Sequence, residues 1–174
     1  MRRVRSAIVS CLFLLAAGCA SSGESTRVRE FVGEQPAAVF ASADRVEVFR
    51  IGSSRDQPDA PRQIVGYPLL ATGKEQGNDF AKRLGKVLLN DGTYEWDLAK
   101  GCKFDPGVAF RIWTGNHSAL ALICFHCDQI GIIADESSPR SLRVHDADPG
   151  RAALLKLARE SFPDDRDLQK LTTD

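Results

Sequence analysis

Four residues of this 174-residue chain have the types and spacing to do chemistry: Cys102, and Cys124, His126 and Cys127 of the run Cys124-Phe125-His126-Cys127. Sulfur and imidazole at such spacing serve three kinds of chemistry. In an oxidising compartment two of the thiols join as a structural disulfide, provided their Cα atoms approach within about 7 Å. Three thiolates and an imidazole hold zinc tetrahedrally, which would use Cys102, Cys124, Cys127 and His126. A redox or nucleophilic thiol needs a depressed pKa, which a following helix N-terminus supplies, and no helix pattern follows Cys127. The disulfide is the favoured reading and the metal site the alternative.

The elements around these residues decide which sulfurs meet. Val108, Phe110 and Ile112 alternate with Ala109, Arg111 and Trp113, Gly115-Asn116 makes a tight turn, and Ala119 to Ile123 follows. This is a β-hairpin pattern in which the numbers of facing residues sum to about 231. Extending it along both arms sets Cys127 opposite Phe104 and Cys124 opposite Gly107. Cys102 then lies diagonal to Cys127 on one face, with Cys124 on the other. Cys102–Cys127 is therefore the expected pair. A bend at Asp105-Pro106-Gly107 would shift the register and substitute Cys124 as partner. The second arm is apolar on both faces, as in a strand covered on each side.

Further elements frame the hairpin. Pro36 at a helix N1 position opens a short helix through Phe40. Arg45 to Ile51 is β-branched and aromatic and reads as a strand; Gly52 to Arg62 reads as a loop; Ile64 to Thr72 reads as a strand that Pro68 confines to an edge or a bulge. The clearest helix is capped by Asn78, buries Phe80, Leu84, Val87 and Leu88, and stops at Asn90-Asp91-Gly92. Leu142 and Val144 mark a short strand. Asp148-Pro149 opens a helix with Leu154, Leu155, Ala158 and Phe162 on one face, and Asp164 to Leu171 adds an amphipathic turn or two. The expected fold is α+β: an antiparallel or mixed sheet centred on the hairpin at about 104–128, covered by at least two helices.

The N-terminus carries a different signal. Arg2, Arg3 and Arg5 precede an apolar run from Ala7 to Ala17, which is too short for the roughly 20 residues of a bilayer span and fits a secretory h-region. It ends in Leu15-Ala16-Ala17-Gly18-Cys19, followed by Ala20-Ser21-Ser22-Gly23. This leader resembles the lipobox of bacterial lipoprotein precursors, with Ala16 standing where Leu is commonest, and the resemblance covers the leader alone. It implies cleavage before Cys19, a diacylglycerol on the Cys19 sulfur and a palmitate-type acyl chain on its amine. Two or three such chains, at about 0.8 kcal/mol per buried methylene, make a stable anchor. Ala20 rather than Asp after the cysteine resembles the outer-membrane sorting class of enterobacterial lipoproteins, which favours the periplasmic face of the outer membrane over the inner membrane. The chain thus divides into a signal peptide (1–18), a lipidated N-terminus and flexible tether (19–35) that would span about 20 Å, and one globular domain (36–174).

Composition bounds the function. With 43% hydrophobic and 26% charged residues and a net charge of zero, the chain has the profile of an ordinary domain and no footprint for nucleic acid. Loss of Arg2, Arg3 and Arg5 leaves 20 basic against 23 acidic residues, a mature charge of about −3. Gly73-Lys74 lacks the rest of a phosphate loop, and neither Gly-x-Ser-x-Gly nor His-Glu-x-x-His occurs. His117, His126 and His145 stand isolated. Glu95, Asp97 and Asp128 cannot be paired for acid/base work from sequence. Arg111 and Trp113, on one face of the hairpin, would make a binding surface, although a strand-face aromatic is more often core. The expectation is a lipid-anchored envelope protein, a non-enzymatic binding or structural module with no cofactor, whose partners are the membrane through Cys19 and an envelope protein or small molecule. The alternative is a metal- or thiol-dependent envelope enzyme using Cys102, Cys124 and Cys127.

Overall fold

A computed structural model describes residues 25–53 and 59–173. The leader, Cys19 and the first tether residues lie outside the described residues, as do 54–58 of the loop. Seven antiparallel strands form one sheet in the order β2-β3-β1-β4-β5-β6-β7, curled into a half-barrel. The strands are β1 (Arg45–Ile51), β2 (Gln63–Ile64), β3 (Tyr67–Thr72), β4 (Val108–Thr114), β5 (His117–Cys124), β6 (Gln129–Ile133) and β7 (Arg143–Asp146). The helices are α1 (Thr26–Val32), α2 (Glu34–Ala41), α3 (Asn78–Leu88), α4 (Arg151–Ser161) and α5 (Arg166–Lys170). The fold is α+β, as the patterning predicts. Among the described residues no helix is long and apolar enough to cross a membrane.

The central hairpin has the expected register, from Val108 opposite Ile123 to Thr114 opposite His117. Gly115 takes φ 54°, which glycine supplies at no steric cost at the first position of a two-residue turn. Alternation divides the strand residues between two cores. Phe110, Ile112, Ala121, Ile123, Ile130 and Ile132 pack beneath the helices, against Val28 and Val32 of α1, Phe40 of α2, Leu84 and Leu88 of α3, Leu154 and Leu155 of α4 and Leu168 of α5. Phe49, Ala109, Leu120, Leu122 and Ile133 fill the other face, covered by Tyr67, Leu69, Phe104 and Leu142. This explains why β5 reads as apolar on both sides. Helices cover one face, and β3 together with Phe104 and Leu142 of irregular segments covers the other. Gly131 makes room for that cover, since a Cβ there would sit 2.7 Å from the Phe104 ring and 2.8 Å from Leu142.

Several boundaries differ from expectation for identifiable reasons. Residues 26–32, assigned to the tether, form α1, capped by Ser25 and held down by the fully buried Val28 and by Val32. The folded domain therefore begins about ten residues earlier than expected. Pro36 is the third residue of α2, where its missing N–H is still one of the helix's unpaired donors. Gly77, not Asn78, caps α3. The segment expected as one strand over 64–72 is two, β2 and β3, joined by Val65 and Gly66 at φ 52° and 84°. Pro68 faces the two-residue β2, and the irregularity in the β1–β3 ladder falls at Leu70, since Arg50 pairs with Ala71 and Ile51 with Leu69.

The largest correction lies beside the cysteines. The arm β5 ends at Cys124, which pairs with Gln129, so Phe125 to Asp128 form a turn into β6, a strand the patterning leaves out. Cys127 is a turn residue and does not continue the ladder opposite Phe104.

Candidate binding site at the disulfide-pinned loop

Residues 95–107 leave the end of the Asp91–Thr93 helical turn, cross the edge of β7 and return to β4 without regular structure. Three sets of contacts fix this path. The Glu95 N–H donates to the carbonyl of Asp146 at 3.0 Å, and the Lys100 N–H donates to the Asp146 carboxylate at 2.8 Å. The Lys100 ammonium donates to Asp148 and to the Cys127 carbonyl (3.3 Å), and lies 3.8 Å from Asp128. Cys102 is joined to Cys127 by a disulfide with a Cα–Cα distance of 5.9 Å. The pairing is the one anticipated, reached by a different route: the 125–128 turn carries Cys127 to the loop.

Electrostatics tighten the same corner. Burial depresses the Lys100 ammonium, but its hydrogen bond to Asp148 and the charges of Asp148, Asp128 and Asp146 outweigh it and raise the pKa. Asp128 takes φ 53° in the turn, a conformation Asp tolerates better than most residues, and its carboxylate binds the Arg151 guanidinium. Arg151 also donates to the Phe125 carbonyl at 2.5 Å, tying the turn to the start of α4.

The remaining predicted residues are dispersed by the fold. Cys124 is a free, buried thiol and His126 is exposed on the turn. With Cys102 and Cys127 joined, the four residues weighed as zinc ligands are not gathered, and among the described residues no group of three or more His, Cys, Asp or Glu could hold a metal ion. The backbone N–H of Asp97 approaches the Glu95 carboxylate at 3.4 Å, while Asp128 belongs to the Arg151–Lys100 cluster. Arg111 is engaged by the Glu136 carboxylate through two bonds of 2.5 and 2.7 Å and by Glu47 at 3.1 Å; these partners raise its pKa, the Glu136 bond most, against the opposing effect of burial. The Trp113 indole N–H donates to Glu47 at 3.0 Å, so the Arg111–Trp113 surface is a closed network.

An open hollow of about 420 Å³ lies between the 96–100 segment and the β7 edge. Its lining includes Trp96, Leu98, Lys100, Gln129, Val144 and His145. Leu98 is 55% exposed and Val144 38%, and they are two of the three large apolar side chains left exposed among the described residues. Trp96 is clamped: its N–H donates to the Asp91 carbonyl at 3.1 Å, the His145 ring meets it edge-on at 4.5 Å, and Arg27 lies 5.3 Å from its centroid. Beneath it Tyr94 is buried, which pushes its phenol pKa upward, and donates to the Leu88 carbonyl at 2.6 Å. Gln129, 7% exposed, donates to Asp146 at 2.9 Å, and its Oε1 has no hydrogen-bond partner among the described residues. The hollow was not visible in the sequence. Its walls come from segments about 45 residues apart, and the one local signal was the pair Trp96 and Leu98 within a polar stretch.

A larger hollow of about 530 Å³, between β3 and the end of α4, is lined by Arg50, Leu70, Phe162 and Asp165. Arg50 and Lys74 both line it, and Arg50 is engaged by Asp165 at 2.6 Å.

No protein-family model, curated protein or solved structure matches the chain.

Proposed function

We propose that this chain is an exported envelope lipoprotein, anchored through acylated Cys19, and that its domain is a non-enzymatic binding module whose working surface is the hollow beside β7. The observation that carries the reading is the Cys102–Cys127 disulfide together with what it holds. A disulfide persists in oxidising compartments, in agreement with the secretory leader. It also fixes an irregular loop that leaves Trp96, Leu98 and Val144 around an open hollow. Small-molecule and protein contacts favour such sites, where an aromatic anchor and apolar side chains sit on a rigid frame. The charged groups nearby support binding rather than turnover, because Lys100, Asp128, Asp148 and Arg151 are engaged with one another.

The test is metabolic labelling of the full-length chain with radioactive palmitate in a Gram-negative host, followed by fractionation. Label is expected in the envelope fraction for the native sequence and absent for Cys19→Ser. Unlabelled native protein in the cytosol would refute the proposal.

A further inference from the structure

We infer that the rim formed by Trp96, Leu98 and Val144 contacts the phospholipid bilayer that holds the anchor. This rests on the lipid-anchor reading above and adds which face of the domain meets the membrane.

Covalent reach limits how far the domain can stand from its anchor. Cys19 and Ser25 are six positions apart, and six extended residues span at most about 20 Å. Ser25 is fixed to the domain beside the hollow. Its hydroxyl donates to Asp91, the residue whose carbonyl also holds the Trp96 indole. Two residues on, Arg27 pairs with Asp91 at 3.2 Å and lies over the Trp96 ring. An acylated Cys19 therefore keeps the Asp91–Trp96 corner within about 20 Å of the lipid headgroups. The opposite edge of the sheet, β2, is six strand positions from β7.

The chemistry of that corner suits a bilayer interface. Trp96 is half-buried with its N–H held by the Asp91 carbonyl, so what it offers an interface is the part of its ring that lines the hollow, a side chain type enriched at headgroup level. Leu98 and Val144 supply exposed aliphatic surface next to it. Arg27 and Lys100 flank the rim, and Asp97 lies within it, so the attraction is apolar and interfacial rather than a basic patch seeking anionic lipid. Two aliphatic side chains and a ring would bind a membrane weakly from solution. Tethering converts the encounter into an intramolecular one with a high effective concentration, so weak contact suffices.

The experiment uses full-length acylated protein purified from membranes, its acylation verified by mass, and reconstituted into phosphatidylethanolamine–phosphatidylglycerol vesicles with brominated acyl chains. The chain has two tryptophans, so Trp113→Phe leaves Trp96 as the reporter. The expected result is loss of most Trp96 emission, reversed by Leu98→Asp, an exposed substitution that spares the core. Native protein, with and without Leu98→Asp, gives the same comparison if Trp113→Phe does not fold. Acylated protein without quenching would overturn the inference, leave the anchor reading intact, and return the hollow to a soluble ligand or a second protein. Quenching unchanged by Leu98→Asp would overturn the assignment of this rim. Protein that reaches the envelope without acyl chains would overturn the anchor reading, and the inference with it.

Discussion

Replacing both Cys102 and Cys127 by alanine tests the frame on which the candidate site rests. The bridge closes a loop with a sequence separation of 25. In the chain-entropy treatment such a closure removes roughly 12 cal/mol/K from the unfolded ensemble, or about 3.5 kcal/mol at 25 °C. For a domain of this size that corresponds to a fall in Tm of about 7–14 °C. The figure is an upper value for the bond alone, since the loop's other ties to Asp146, Asp148 and Asp128 survive in the variant. Urea denaturation of native protein, reduced native protein and the double variant separates the terms. Reduction removes the cross-link and keeps the sulfur volume of the nearly buried Cys127, whereas the alanines remove both. Both forms should lose on the order of 2–3.5 kcal/mol, and hydrogen exchange of residues 96–104 should rise well above that of β4 and β5. Loss under about 0.5 kcal/mol with unchanged exchange would refute the claim that the bridge holds the loop.

Three further predictions follow from the packing. Gly85→Ala should destabilise the domain by up to about 2 kcal/mol, because a Cβ there would lie 2.3 Å from the Phe40 carbonyl oxygen and crowding a backbone group costs about 1–3 kcal/mol, against which alanine's helix preference returns about 1 kcal/mol; an increase in denaturation midpoint would show that α2 and α3 do not approach so closely. Val28→Ala should cost about 1–3 kcal/mol, since Val28 is fully buried under α1, whereas the same change in a solvated tether would leave thermal stability untouched. The Asp165 carboxylate accepts from the N–H groups of Asp167 and Leu168 at 3.0 Å and from Arg50; burial opposes these contacts but they prevail, and its pKa falls below the ordinary value. The unfolded chain then binds the proton more readily, so this contribution is complete above about pH 4 and is lost as pH falls through the lowered native value. Asp165→Asn should flatten the stability profile in that acid window, and an unchanged slope would exclude Asp165 as its source.

How much of this was legible in sequence depended on whether a signal was local. The β4–β5 register was readable because Gly115-Asn116 fixes a two-residue turn and alternation does the rest. The α3 helix was readable from its single apolar stripe. The strand β6 was missed because Gln129-Ile130-Gly131-Ile132-Ile133 is buried on both faces, which erases alternation, and its glycine reads as a breaker. The turn before it has no Gly, Pro or Asn, and only the positive φ of Asp128 marks it. The α1 helix was hidden by its neighbours: Val28, Phe31 and Val32 have helical spacing, but the small polar residues before them suggested a tether. The Cys102–Cys127 pair was legible from the faces the cysteines take on extended strands, although the chain turns after Cys124 and it is this turn that carries Cys127 to the loop. The hollow depends on tertiary placement of the 95–107 loop, which no local pattern encodes.

The measurement that bears most directly on the whole reading is the intact mass of the non-reduced protein extracted from membranes. A species that begins at Cys19, carries diacylglycerol and an amide-linked acyl chain, and is lighter by two hydrogens than the same chain after reduction is the expected result. An unmodified chain that retains residues 1–18, with three titratable thiols beyond the leader and Cys19, would contradict it.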